Sequence, residues 1–128
     1  MAFDPATPRP EIDFPGDAAP TELVVEDLTV GDGAEATVGA TIDAHYVGVA
    51  HSTGEEFDAS WNRGAPLTFQ VGVGQVIRGW DEGIVGMREG GRRRLLIPPA
   101  YGYGDRGAGN VIKPGESLIF VVDLVSVR

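Results

Sequence analysis

Beyond residue 20, apolar and polar residues alternate in short runs separated by glycine-rich turns. A period of two predicts strands, and five runs carry it: TELVVEDLTV (21–30), TIDAHYVGVA (41–50), LTFQVG (67–72), RRRLLIP (92–98) and SLIFVVDLVSV (117–127). Gly31-Asp32-Gly33 stops the first of them with a turn signal. One segment breaks the rhythm. In VIRGWDEGIVGM, Ile77, Trp80, Ile84 and Met87 recur three and four residues apart while Asp81 and Glu82 face away, which predicts one short helix. A single helix must lay its apolar stripe on the sheet, because nothing else covers either surface. The expected fold is therefore α+β, a five-stranded antiparallel half-barrel wrapped around one short α-helix.

Residues 1–20 differ in kind. They hold five of the nine prolines, and each proline lacks an amide donor and biases its predecessor toward extended geometry. An acidic, proline-rich leader is expected there, partly disordered over at least its first ten residues, ahead of a domain spanning 21–128. Ile12 and Phe14 alternate with acids in EIDFP, which makes that piece a candidate to lie along the body. The formal charge of −9 also belongs to this end: residues 1–35 carry nine acids and one base, net −8, whereas the rest carries ten acids and nine bases, net −1. No basic stripe results, so nucleic acid is not an expected partner.

At 128 residues, 42% hydrophobic and 23% charged, the chain suits one globular domain. The absence of cysteine excludes disulfides, thiolate metal sites and cysteine nucleophiles. No run approaches the roughly 18 apolar residues of a membrane helix, and the default expectation is a cytoplasmic protein without a membrane partner.

Most candidate chemistry has a plainer explanation. The glycines of GVGQVIRGWDEG between a strand and a helix suggest a phosphate loop, but Ile77 stands where a dinucleotide loop needs its third glycine. His45 and His51 lack metal spacing and read as structural, so no metal is expected. The serines sit in no nucleophile elbow. Glu55-Glu56 and Asp81-Glu82 read as solvated charge, and the arginines of EGGRRR alternate faces on a strand. What remains is a set of large apolar residues outside the strands: Phe57, Trp61, Trp80, Tyr101, Tyr103, Val111 and Ile112. Loops seldom carry such residues merely to fill a core, and a concave apolar pocket floored by Trp80 is the more economical reading.

Taken in order, HYVG, EEFDAS, QVIRGWDEG, VGMREGGRR, PPAYGYGDRG and SLIFVVDLV resemble the FKBP peptidyl-prolyl isomerases over about residues 21–128, most closely single-domain members from actinobacteria. The resemblance implies a proline pocket between sheet and helix, lined by Tyr46, Phe57, Asp58, Leu67, Val76, Ile77, Trp80, Tyr103, Ile112 and Phe120. It places Trp80 under the proline ring, with Tyr46, Phe57 and Phe120 as walls. The Ile77 amide and the Tyr103 hydroxyl are implied donors to substrate carbonyls, and Arg63 is implied as the ionic partner of Asp58. Gln75 and Val111 complete the implied binding set. Activity on Xaa-Pro bonds of unfolded or flexible chains, assistance to protein folding, macrolide binding, no cofactor and a monomeric state follow from the same resemblance. A docking module that holds proline-containing partners without turnover is the alternative; the intact set of Tyr46, Phe57, Asp58, Trp80 and Tyr103 favours the enzyme. Leu67 replaces an aromatic common in the family, Gln75 a glutamate and Ala108 a histidine. Residues 104–113 leave no room for an inserted chaperone domain, so neither strong holdase activity nor nickel binding is implied.

Overall fold

The computed structural model describes residues 9, 10, 12, 19–108 and 112–128. Six strands and one α-helix follow in the order β1 (Val24–Thr29), β2 (Thr41–Ala50), β3 (Glu56–Ala59), β4 (Leu67–Gln70), α1 (Arg78–Ile84), β5 (Arg92–Ile97) and β6 (Leu118–Val127). All pairings are antiparallel, and the sheet runs β1-β5-β6-β2, with β3 and β4 both on the far edge of β2. The sixth strand corrects the expected count of five. Residues 56–59 read as loop in the sequence because EFDA is too short and too mixed to show a period. They form β3 by pairing with Val47 to Val49, while β4 pairs with Thr41 to Ala44. A 3-10 turn at Ser60–Arg63 separates the two, so β3 and β4 share one edge as an interrupted strand.

Both central strands are buried along most of their length because each face is covered. The inner face carries the main core, in which Ile42, Leu95, Ile97, Leu118, Val122 and Leu124 pack with Trp80 and Ile84 of the helix. A smaller cluster of Val47, Val49, Ala59 and Ile119 occupies the outer face, where Ile12 and Trp61 pack against it. The arginines of β5 divide between faces as the alternation requires: Arg92 pairs with Asp123, whereas Arg93 donates to the carbonyls of Gly83 and Val85 at the end of the helix. Those are acceptors that every helix terminus leaves unpaired.

The helix is shorter than its apolar stripe. Val85 is extended and Gly86 takes a φ of +96°, a left-handed conformation open to glycine, so the chain leaves the helix before Met87. Gly79 and Gly83 explain how so short a helix sits so close to the sheet: a Cβ at either would lie 2.7 Å from the Ile97 side chain or 2.8 Å from that of Leu95. Each glycine costs about 1 kcal/mol of helix propensity relative to alanine, which the packing of Trp80 and Ile84 outweighs.

Candidate active site

Between α1 and the inner face of the sheet lies a cavity of about 470 Å³, a size typical of small-molecule sites. Its base is the buried Trp80 indole. Around it the aromatic rings meet edge to face: Tyr46 at 4.9 Å and 76°, and Phe120 at 5.2 Å and 84°. Phe57 stands edge to face against Phe120 at 5.5 Å, and Phe69 supports the indole from 5.6 Å. These are the offset arrangements that aromatic quadrupoles favour. Leu67, Gln75, Val76 and Ile77 complete the lining from the β4 and helix-entry side, and Tyr103 from the loop opposite.

Two consecutive residues, Phe57 and Asp58, both reach this cavity, which a regular strand forbids because neighbours point to opposite faces. The register explains it. Val49 pairs with Glu56 and Gly48 with Asp58, so Phe57 is the extra residue of a bulge. Gly48 then provides room, since a Cβ there would lie 2.6 Å from the Phe120 ring and 2.7 Å from that of Phe57.

Asp58 is fixed by its neighbours. The Tyr46 hydroxyl donates to Asp58 Oδ2 at 2.6 Å and accepts from Arg63 Nη2 at 3.1 Å, while Arg63 Nη1 lies 3.3 Å from Asp58 Oδ1. Burial, then the adjacent Asp58 carboxylate, push the Tyr46 phenol above its ordinary pKa. Burial and the charge of Asp58 raise Tyr103 likewise, so both hydroxyls keep their protons at neutral pH and remain donors. The loop bearing Tyr103 is closed by a bridge between Ala108 and Ile112 and by a bond from the Gly115 amide to the Gly104 carbonyl at 2.9 Å. Gly107 permits that closure, because a Cβ there would lie 2.2 Å from the Ile112 carbonyl oxygen.

The helix entry is fixed by Asp81, whose carboxylate accepts the Gly72 and Gly74 amides, each at 2.8 Å. This corrects the reading of Asp81 as solvated charge: its two oxygens hold the loop that carries Val76 and Ile77. Glu82 does sit on the exposed side, paired with Arg78. Gln75 is tied to Gln70 of β4, accepting from its amide at 2.9 Å.

Most of the expected residues meet at this cavity, and three of the described ones stand elsewhere. Ile112 is buried in the main core and is not among the residues that line the cavity. Trp61 stacks on His45 at 4.2 Å on the opposite face of β2, and Tyr101 lies beneath the Arg78 guanidinium at 4.2 Å. Their positions outside the strands did not reveal what they would pack against. Val111 lies outside the described residues. His45 Nδ1 lies 2.8 Å from Ser60 Oγ. Gly48, Phe69, Gly74 and Asp81 belong to the site or its frame without having been expected. Only Gly48 left a signal, as an isolated glycine within a strand pattern.

The family model for FKBP-type peptidyl-prolyl cis-trans isomerase matches residues 33–125. The chain is 62% identical over 120 residues to an FK506-binding protein of Streptomyces anulatus, covering 93% of this chain and 97% of that one. It is 49% identical over 118 residues to a probable FK506-binding protein of Corynebacterium glutamicum, covering 92% and 98% respectively. Among solved structures, the crystal structure of AtFKBP13 matches with a TM-score of 0.75 at 44% identity, over 86% of this chain and 96% of that chain.

Proposed function

This chain belongs to the FKBP-type peptidyl-prolyl cis-trans isomerase family and accelerates rotation about Xaa-Pro bonds, and on that premise we propose which residues perform the rotation and how. The proline ring rests on Trp80 between Tyr46, Phe57 and Phe120. The carbonyls flanking it accept from the Ile77 amide, which as the helix N-cap has no intrahelical acceptor, and from the Tyr103 hydroxyl.

Rotation breaks no covalent bond. Its barrier of about 18 to 20 kcal/mol is amide resonance, and the planar form is the more charge-separated one. Water stabilises that form through the carbonyl, so an aromatic, water-poor cavity favours the twisted amide. Lowering the barrier by about 5 to 7 kcal/mol speeds rotation by about four to five decades. Fixed donors matched to the twisted geometry act in the same direction.

The observation that carries this reading is that Asp58, the one carboxylate among the described residues lining the cavity, is already engaged by Tyr46 and Arg63. It serves to hold the wall, and no step requires it to take a proton. FK506-type macrolides occupy the same cavity. Every described residue lining the cavity comes from one chain, and action as a monomer is part of this proposal. Assistance to folding chains and a cytoplasmic location belong to the same proposal. The test is the cis-to-trans rate of a Leu-Pro peptide with and without rapamycin. Rapamycin-sensitive acceleration is expected; folded protein that binds the drug without accelerating the peptide would place the pocket's role in docking.

A further inference from the structure

Arg9 and Ile12 of the leader touch the outer side of the sheet directly behind the pocket, and Pro10 between them is buried. Arg9 Nη1 donates to Asn62 Oδ1 at 2.6 Å, and the same guanidinium pairs with the Glu56 carboxylate. Asn62 Nδ2 in turn donates to Glu56 Oε2 at 3.0 Å, closing a three-membered network. Pro10 is buried, and Ile12 packs on the outer cluster of Val47, Val49, Ala59 and Ile119.

The location gives these contacts their meaning. Glu56 and Asn62 stand near the two ends of residues 56–63, the stretch that presents Phe57, Asp58 and Arg63 to the pocket. β3 is only four residues long, lies at the sheet edge and contains the bulge, so its own pairing with β2 holds it weakly. A bulge fixes its extra residue only as firmly as the neighbouring pairs are fixed. Arg9 joins those neighbours from outside, and the burial of Pro10 with the packing of Ile12 keeps Arg9 in place.

We propose that Arg9 is a positioning residue for the rotamase reaction: with Pro10 and Ile12 it clasps residues 56–62 so that Phe57 and Asp58 face the proline. This rests on the assignment of turnover to the pocket described above. An isolated exposed ion pair has little effect, and its range corresponds to at most about a fivefold change in an equilibrium. A clasp is expected to deliver an effect of that size in turnover as well as in stability.

The test uses the full chain with Arg9→Ala, Glu56→Gln, the double variant and Arg9→Lys, all well below their melting temperatures. Amide hydrogen exchange is read at Phe57 and Asp58, with Ile42 and Phe69 as internal references, and kcat and KM are separated for a Leu-Pro peptide. Arg9→Ala is expected to speed exchange at Phe57 and Asp58 alone and to lower kcat/KM about two- to fivefold. The double variant should be no worse than the more affected single variant, and Arg9→Lys should recover part of the loss. Unchanged exchange at Phe57 and Asp58 overturns the clasp, and so does faster exchange with unaltered turnover. A wild-type protein that fails to accelerate the peptide would overturn the turnover assignment instead, and the positioning role with it, while exchange at Phe57 and Asp58 would still show whether the leader holds β3.

Discussion

Gly48→Ala sets two effects of known size against each other. Gly48 lies within β2, opposite Phe120 of β6 on one side and Asp58 of β3 on the other. Its backbone is not in the left-handed region, so alanine can adopt it. A glycine inside a strand costs about 0.5 to 1 kcal/mol relative to alanine, and on propensity alone the variant gains stability. Sterics oppose this. The new methyl would lie 2.6 Å from Phe120 and 2.7 Å from Phe57, where carbon contacts prefer about 3.5 to 4.0 Å. Phe120 cannot simply withdraw, because it packs edge to face with Trp80 at 5.2 Å. Overpacking of this kind costs about 1 to 3 kcal/mol, so a net destabilisation of about 1 to 2 kcal/mol is expected. Relief requires Phe57, Phe120 or both to move by about 1 Å, a displacement able to lower turnover about 100-fold. Urea unfolding measures the first quantity and Leu-Pro isomerisation the second, and the expected result is a modest loss of stability beside a 10- to 100-fold loss of kcat/KM. A variant as stable as the wild type with full turnover would refute the placement of both rings.

Trp80→Leu should fold, lose about 2 to 3 kcal/mol of stability to the cavity it leaves, and lose most rapamycin affinity; unchanged affinity in a titration would remove Trp80 from the floor of the site. Tyr46→Phe takes the donor from Asp58 Oδ2, and because Asp58 is half exposed water replaces part of that bond, so kcat/KM should fall only about fivefold; a loss of several decades would mean that the hydroxyl itself contacts the reacting amide. Acid stability reports on Asp43. Burial raises its pKa, but hydrogen bonds from Ser126, Thr68 and Arg128 outweigh burial and hold the carboxyl below its ordinary value. The stability it contributes is therefore complete above the unfolded value of about 3.9 and is lost as pH falls through the folded one. Asp43→Asn should flatten that acid limb in urea midpoints measured from about pH 5 downward, and a limb of unchanged slope would assign the acid loss to other groups.

Periodicity was enough for the elements whose side chains all answer to one surface. The alternation of residues 41–50 and 117–127 and the stripe of Ile77, Trp80 and Ile84 placed the sheet, the helix and their mutual packing. The family motifs then brought Tyr46, Phe57, Asp58, Trp80 and Tyr103 to one place. What stayed hidden depends on register and on faces. Phe57 and Asp58 share a face only through a bulge, and a slip of one residue leaves no mark in composition. Trp61 had the right chemistry for the pocket and the wrong face of the sheet, and Tyr101 packs beside the core without lining the cavity. Asp81 and Glu82 are neighbours of the same charge, yet the first accepts two loop amides and the second meets solvent. Single residues next to a turn carry too little pattern to distinguish those fates.

The strand order has a kinetic consequence. β6 is inserted between β5 and β2, so Tyr46 waits for Val122 and Leu95 for Phe120 before either has its neighbour. Neither the β1-β5 ribbon nor the β2-β3-β4 edge closes the core by itself, and Phe120 supplies a wall of the site from the same late strand. Contacts so distant along the chain place folding in the slower, millisecond-to-second range of small domains. A nascent chain therefore has no proline pocket until β6, the last of the described strands, has been made, and a catalyst of slow rotations waits on its own most distant pairings.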